Sequence, residues 1–130
     1  LHGYPRETTL AEKIQAMTIL EMSNSRMKDF YDVWQLIERF EFDGKLVQTA
    51  IEKTFVNRNT ALPQDDHVIF SNSFLEHKTI QWNAFIRKLK IENTTEMGEV
   101  LSAIKEFLVP LLNASQQGIV FDQKWDKKWK

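Results

Sequence analysis

Lys13 and the acidic pair Asp29 and Asp32 are the side chains of this sequence whose type and spacing best suit chemistry. Lys13 follows Leu10 by three residues and precedes Met17 by four, so on a helix its stem shares the stripe that should face the core. A cation held there can grip a phosphate. Equally, its methylenes can cover apolar surface while the ammonium reaches water, and taken alone that role leads. Asp29 heads the line Asp29, Val33, Leu36, Phe40, and Asp32 lies one turn before Leu36, so both carboxylates flank the buried face near the start of a helix. Paired carboxylates can hold magnesium through oxygen ligands or take a proton from an attacking hydroxyl. They can also be capping acids, because negative charge at a helix start stabilises it by roughly 0.3 to 1 kcal/mol. On spacing alone the capping role leads.

Other candidates are thinner. His2, His67 and His77 lack helical spacing to one another and have no cysteine partner, so no metal site is expected from them. No glycine opens a phosphate-cradling loop, and no Ser/His/Asp context appears. In Lys124-Trp-Asp-Lys-Lys-Trp-Lys130, Trp125 and Trp129 stand one turn apart among lysines, a pattern that can stack on RNA bases. The weightier reading docks both indoles on the body of the protein and leaves the lysines in water.

These residues need a scaffold, and 130 residues with 42% apolar and 27% charged side chains suffice for one globular domain with a core. A net charge of -1 gives no general footprint for nucleic acid, so any RNA contact must come from a local patch. The lack of cysteine removes disulfides, thiolate catalysis and cysteine-held zinc, and fits a reducing cytosol. The Asn-x-Ser/Thr triplets at Asn93 and Asn113 then read as chance. No apolar run approaches the roughly 18 to 20 residues that cross a bilayer, and Leu1 to Pro5 is not a signal peptide, so a cytoplasmic protein without membrane contact is expected. Leucine at residue 1 points to a chain that begins inside a longer product.

Breakers are few, and the apolar residues recur at three- and four-residue steps, which predicts an all-α, compact domain of about five helices. The first runs from Thr8 to Met22 through Leu10, Ile14, Met17 and Leu20, with Thr9-Leu-Ala-Glu12 spaced as a capping box. The second, Arg26 to Phe40, places Phe30, Val33, Trp34, Ile37 and Phe40 on one side, with Ser25 as its cap. After Asp43-Gly44, Leu46, Val47, Ala50, Ile51, Thr54 and Phe55 make a third stripe, which ends in Asn57-Arg-Asn-Thr before Pro63. Asp65 to Phe70 reads as a strand or a short turn. Phe74 to Leu89 reads as a helix with Ile80, Trp82, Phe85, Ile86 and Leu89 mostly on one side. Thr94 or Thr95 precedes a last periodic run from Val100 to Leu112, with a kink or final turn expected at Pro110. The organisation expected is a helical domain over 1–114 and a tail over 115–130, partly ordered or docked, with no convincing strand pair and no repeat.

Two segments taken together add a resemblance. Tyr4-Pro-Arg-Glu-Thr-Thr-Leu-Ala-Glu-Lys13, followed by Asn24-Ser-Arg-Met-Lys-Asp-Phe-Tyr-Asp-Val-Trp34, resembles the paired signature in the C-terminal half of the AbiEii/AbiGii nucleotidyltransferase toxins, with valine in place of the usual leucine after the final aspartate. The resemblance implies that Lys13 contacts a nucleoside triphosphate, that Asp29 and Asp32 lie at the catalytic centre, and that Arg26 and Lys28 contact phosphate or brace the acids. It further implies a bacterial toxin–antitoxin or phage-defence system with a cognate antitoxin. Its reaction would be magnesium-dependent transfer of a nucleotidyl group from an NTP to RNA, tRNA ends among the acceptors. The family's Gly-Ser and Asp-x-Asp elements do not occur here, since the four glycines precede Tyr, Lys, Glu and Ile. The expectation is therefore a C-terminal helical half, inactive by itself, whose nucleotidyltransferase half stands before Leu1. The alternative from another class is a helical protein-interaction module in which the same acids are caps.

Overall fold

A computed structural model of the chain describes residues 5–21, 26–90 and 95–130. Five α-helices are present among them, α1 (Arg6–Leu20), α2 (Met27–Arg39), α3 (Gly44–Asn57), α4 (Asn72–Leu89) and α5 (Met97–Gln116), with a short 3-10 turn at Val68–Phe70. The all-α expectation holds. Leu10, Ile14 and Met17 of α1, Phe30, Val33 and Ile37 of α2, Val47, Ile51 and Phe55 of α3, and Phe107, Leu108 and Leu111 of α5 are buried in one core. Within it α1 packs on α2 and α3, and α5 on α2, α3 and α4.

Local chemistry explains most helix ends, and corrects some expectations. Helix α1 starts at Arg6 rather than Thr8, because the Pro5 carbonyl already accepts from the N–H groups of Thr8 and Thr9 at 3.1 Å. Thr9 is then inside the helix and the capping box does not form. Ser25, Met22 and Thr94 lie outside the described residues. Asp43 caps α3 by accepting from the Lys45 N–H at 3.0 Å, and Ser71 caps α4 by accepting from the Phe74 N–H at 3.1 Å. The stretch 65–70 is not a strand: it ends in the 3-10 turn, started by His67 Nδ1, which accepts from the Ile69 N–H at 3.2 Å. In α4 the buried line is Phe74, Lys78, Trp82 and Ile86, while Ile80 is 77% exposed and Leu89 is also exposed. Two positions along a helix turn roughly 200° around it, so Ile80 cannot share the face of Trp82. Leu46 on α3 is likewise exposed.

Helix α5 continues past Pro110 to Gln116, where Gly118 at φ 70 lets the Gly118 and Ile119 N–H groups close on the carbonyls of Ser115 and Ala114. The chain then turns back over the core. Phe42–Asp43 (β1) and Lys124–Trp125 (β2) pair antiparallel, Phe42 opposite Trp125, contrary to the expectation of no strand pair. Two-residue strands far apart in sequence leave no alternation to read. Trp125 is buried with its indole N–H donating to the Ile37 carbonyl at 2.7 Å, and the Trp129 indole donates to the Phe107 carbonyl at 2.9 Å. The buried amide of Gln48 accepts from the Phe121 N–H at 2.9 Å and donates to the Ile119 carbonyl at 2.8 Å. Both tryptophans are thus committed to the body of the protein, and the reading in which they stack on RNA bases has no free indole pair to use.

Candidate functional site

Helices α1 and α2 bring together all five residues singled out in the sequence. Lys13 Nζ lies 3.0 Å from Asp32 Oδ2 and 3.4 Å from Asp29 Oδ1. Arg26 Nε stands 3.3 Å from Asp29 Oδ2, and Lys28 Nζ 2.7 Å from Asp32 Oδ2. The arrangement follows from helical spacing: Asp29 and Asp32 are three residues apart on one face of α2, and that face meets the side of α1 from which Lys13 projects. Burial pulls the Lys13 ammonium toward deprotonation, but the hydrogen bond and charge of Asp32, together with the charge and hydrogen bond of Asp29, outweigh it and raise its pKa. Lys13 is therefore a fixed cation at neutral pH.

Asp29 is the buried member, 4% exposed, and among the described residues its Oδ2 makes no hydrogen bond although Arg26 faces it. A carboxylate oxygen so placed needs nearby positive charge, which Lys13 and Arg26 supply. Beside it opens a cavity of about 350 Å3 lined by Glu12, Lys13, Arg26, Asp29 and Arg58 among others. A second, of about 280 Å3, lies on the other side of Lys13 and reaches Asp32 and Arg39. The site is thus a row of cations set around two carboxylates, open to solvent on both sides of Lys13.

Arg58 was missed in the sequence, as was Gln15, and Glu12 entered only through the capping box and the signature segment. Arg58 Nη1 donates to Gln15 Oε1 at 2.9 Å, and Nη2 lies 3.4 Å from Glu12 Oε2. The only sequence signal was Gln15, a polar residue one step from the core stripe of α1.

Magnesium is a poor fit to this cluster. Each carboxylate is already faced by two cations, Asp29 by Lys13 and Arg26 and Asp32 by Lys13 and Lys28, and among the described residues no three His, Asp or Glu side chains converge. A divalent cation would meet the field of three positive groups, whereas a phosphate chain would be attracted by it. His67 caps the 3-10 turn, His77 is exposed on α4, and His2 is outside the described residues.

A family model described as nucleotidyl transferase AbiEii toxin, type IV toxin–antitoxin system, matches residues 1–126. The chain belongs to this family. The match extends well beyond the two signature segments, through α3, α4 and α5 into the docked tail, so the helices that hold the cluster are part of the AbiEii pattern. Membership sets the chain in a toxin nucleotidyltransferase context and implies a cognate antitoxin and an NTP donor. No curated protein and no solved structure matches the chain. Among the described residues no helix is long and apolar enough to cross a membrane.

Proposed function

We propose that this chain forms the helical wall of an AbiEii nucleotidyl-transfer site, in which Lys13, Arg26 and Lys28 hold the triphosphate of an NTP. The observation that carries the reading is the convergence of Lys13 with Asp29 and Asp32, at 3.4 and 3.0 Å, beside an open cavity. In nucleotidyl transfer an acceptor hydroxyl loses its proton to water as its oxygen bonds to the α-phosphorus, the bond from that phosphorus to the bridging oxygen breaks, and pyrophosphate leaves with the electron pair of that bond. Cations preset around the leaving group stabilise the charge that develops on it. Asp29, buried under Lys13 and Arg26, positions both; Asp32 at the rim does the same for Lys13 and Lys28. The acceptor is RNA, with tRNA ends as the first to try. The residues of this cluster would not hold magnesium; a metal that neutralises the triphosphate would need carboxylates outside it.

Growth of bacteria expressing the complete gene product tests this, with Lys13→Ala and Asp29→Asn beside wild type. Both variants are expected to relieve growth arrest while melting as cooperative folded proteins. Arrest by both variants at wild-type levels would remove the reading. Loss of arrest only in proportion to lost folded protein would assign the cluster to stability and favour a helical interaction module.

A further inference from the structure

We infer that Arg58 is a further contact for the polyphosphate of the donor nucleotide, and that the buried Gln15 is the residue that positions it. The inference rests on the proposed NTP site at Lys13 and adds to it an element from α3.

Arg58 stands at the C-terminal end of α3, where Asn59 at φ 51 turns the chain and the Thr60 N–H closes on the Phe55 carbonyl at 2.8 Å. A left-handed asparagine here bends the backbone sharply, and the Arg58 side chain reaches back to α1 instead of trailing into solvent. Its guanidinium is then fixed by a closed circuit. Arg58 Nη1 donates to Gln15 Oε1 at 2.9 Å, Gln15 Nε2 donates to Thr60 Oγ1 at 2.9 Å, and Thr60 Oγ1 donates to the Arg58 carbonyl at 3.0 Å. Gln15 is 6% exposed, so both ends of its amide must be satisfied, and the circuit satisfies them.

A stability role would need no opening beside the guanidinium. Yet Arg58 lines the same cavity of about 350 Å3 as Lys13, Arg26 and Asp29. Three cations there face two acids, Glu12 and Asp29, so the cavity favours an anion. Gln15 and Glu12 engage one nitrogen each, and a guanidinium has five N–H donors, which leaves Arg58 able to take phosphate oxygens while still held. Three cations from α1, the start of α2 and the end of α3 suit an extended chain of phosphates better than a single one.

Binding of inorganic tripolyphosphate and of orthophosphate to the complete gene product, measured by calorimetry at low salt, tests the assignment. The variants are Lys13→Met, Arg58→Met and Gln15→Glu, the last keeping its packing while setting a carboxylate against Arg58. Arg58→Met and Gln15→Glu are expected to weaken tripolyphosphate about tenfold each, the effect of losing one charge-assisted contact, and orthophosphate less. If Lys13→Met weakens tripolyphosphate but both other variants stay within about twofold of wild type, Arg58 is structural and the inference fails with the NTP site intact. If wild type does not bind tripolyphosphate, or no variant alters binding, the inference and the NTP site fail together.

Discussion

Lys13 on α1 clasps Asp32 at 3.0 Å and Asp29 at 3.4 Å on α2, so one ammonium joins two helices through two carboxylates of unequal burial. The inequality has an energetic consequence. Asp29 is buried, and without Lys13 it keeps, among the described residues, the Arg26 cation, whose Nε faces an oxygen with no hydrogen bond among them; Asp32 and its exposed partner Lys28 retain water. Lys13→Met is expected to cost about 1 to 3 kcal/mol in urea unfolding, and Lys28→Met no more than about 0.5 kcal/mol. Equal costs would mean that the buried carboxylate does not depend on Lys13.

The raised pKa of Lys13 fixes the pH range of that contribution. A lysine whose folded-state pKa exceeds its unfolded value stabilises fully below the unfolded value, near 10.5, and loses the contribution as pH rises through the folded value. The stability gap between wild type and Lys13→Met should therefore be flat through neutral pH and shrink only in strong alkali. A gap that closed between pH 6 and about 9 would contradict the assignment.

Gly44 begins α3 where the tail crosses over it. A Cβ built there would stand 2.6 Å from the Gln123 carbonyl oxygen and 2.8 Å from that of Phe121, both main-chain atoms. Gly44→Ala must push the tail away, and a loss of about 1 to 3 kcal/mol is expected, as for other overpacked sites. Because Trp125 lies buried beneath this crossing, its fluorescence should shift to the red in the same variant.

Substitutions on α4 test which of its faces is inward. Ile80→Gln should change stability by no more than about 0.5 kcal/mol, whereas Trp82→Ala should cost about 3 to 5 kcal/mol. Thermal or urea melts of the two variants report this, and a large loss at Ile80 would place the wrong side of α4 on the core.

The sequence revealed the helices because each carries its own apolar period, and spacing set Lys13, Asp29 and Asp32 on two helix faces; spacing alone favoured structural roles for them, and only the paired segments of the resemblance made them candidates for chemistry. What it hid depends on chain reversal. Arg58 reaches Gln15 only after α3 turns back on α1, and the Phe42–Trp125 strand pair joins the two ends of a long excursion. Gln48, on the third stripe, gave no sign that its amide would hold the segment at Ile119 and Phe121. The start of α1 was misplaced because a proline carbonyl can begin a helix as well as a threonine side chain, and spacing does not distinguish them.

Nucleotidyl transfer at the Lys13 cluster, as proposed above, is separable from a role in helix packing alone. The most direct measurement is transfer of labelled nucleotide to RNA by the complete gene product, with each of the four NTPs in turn, comparing wild type and Lys13→Met at a temperature where both are folded. Labelling by wild type with at least one NTP, and its loss in Lys13→Met, is the expected result. Equal labelling by both proteins, or none by wild type with any NTP, would contradict it.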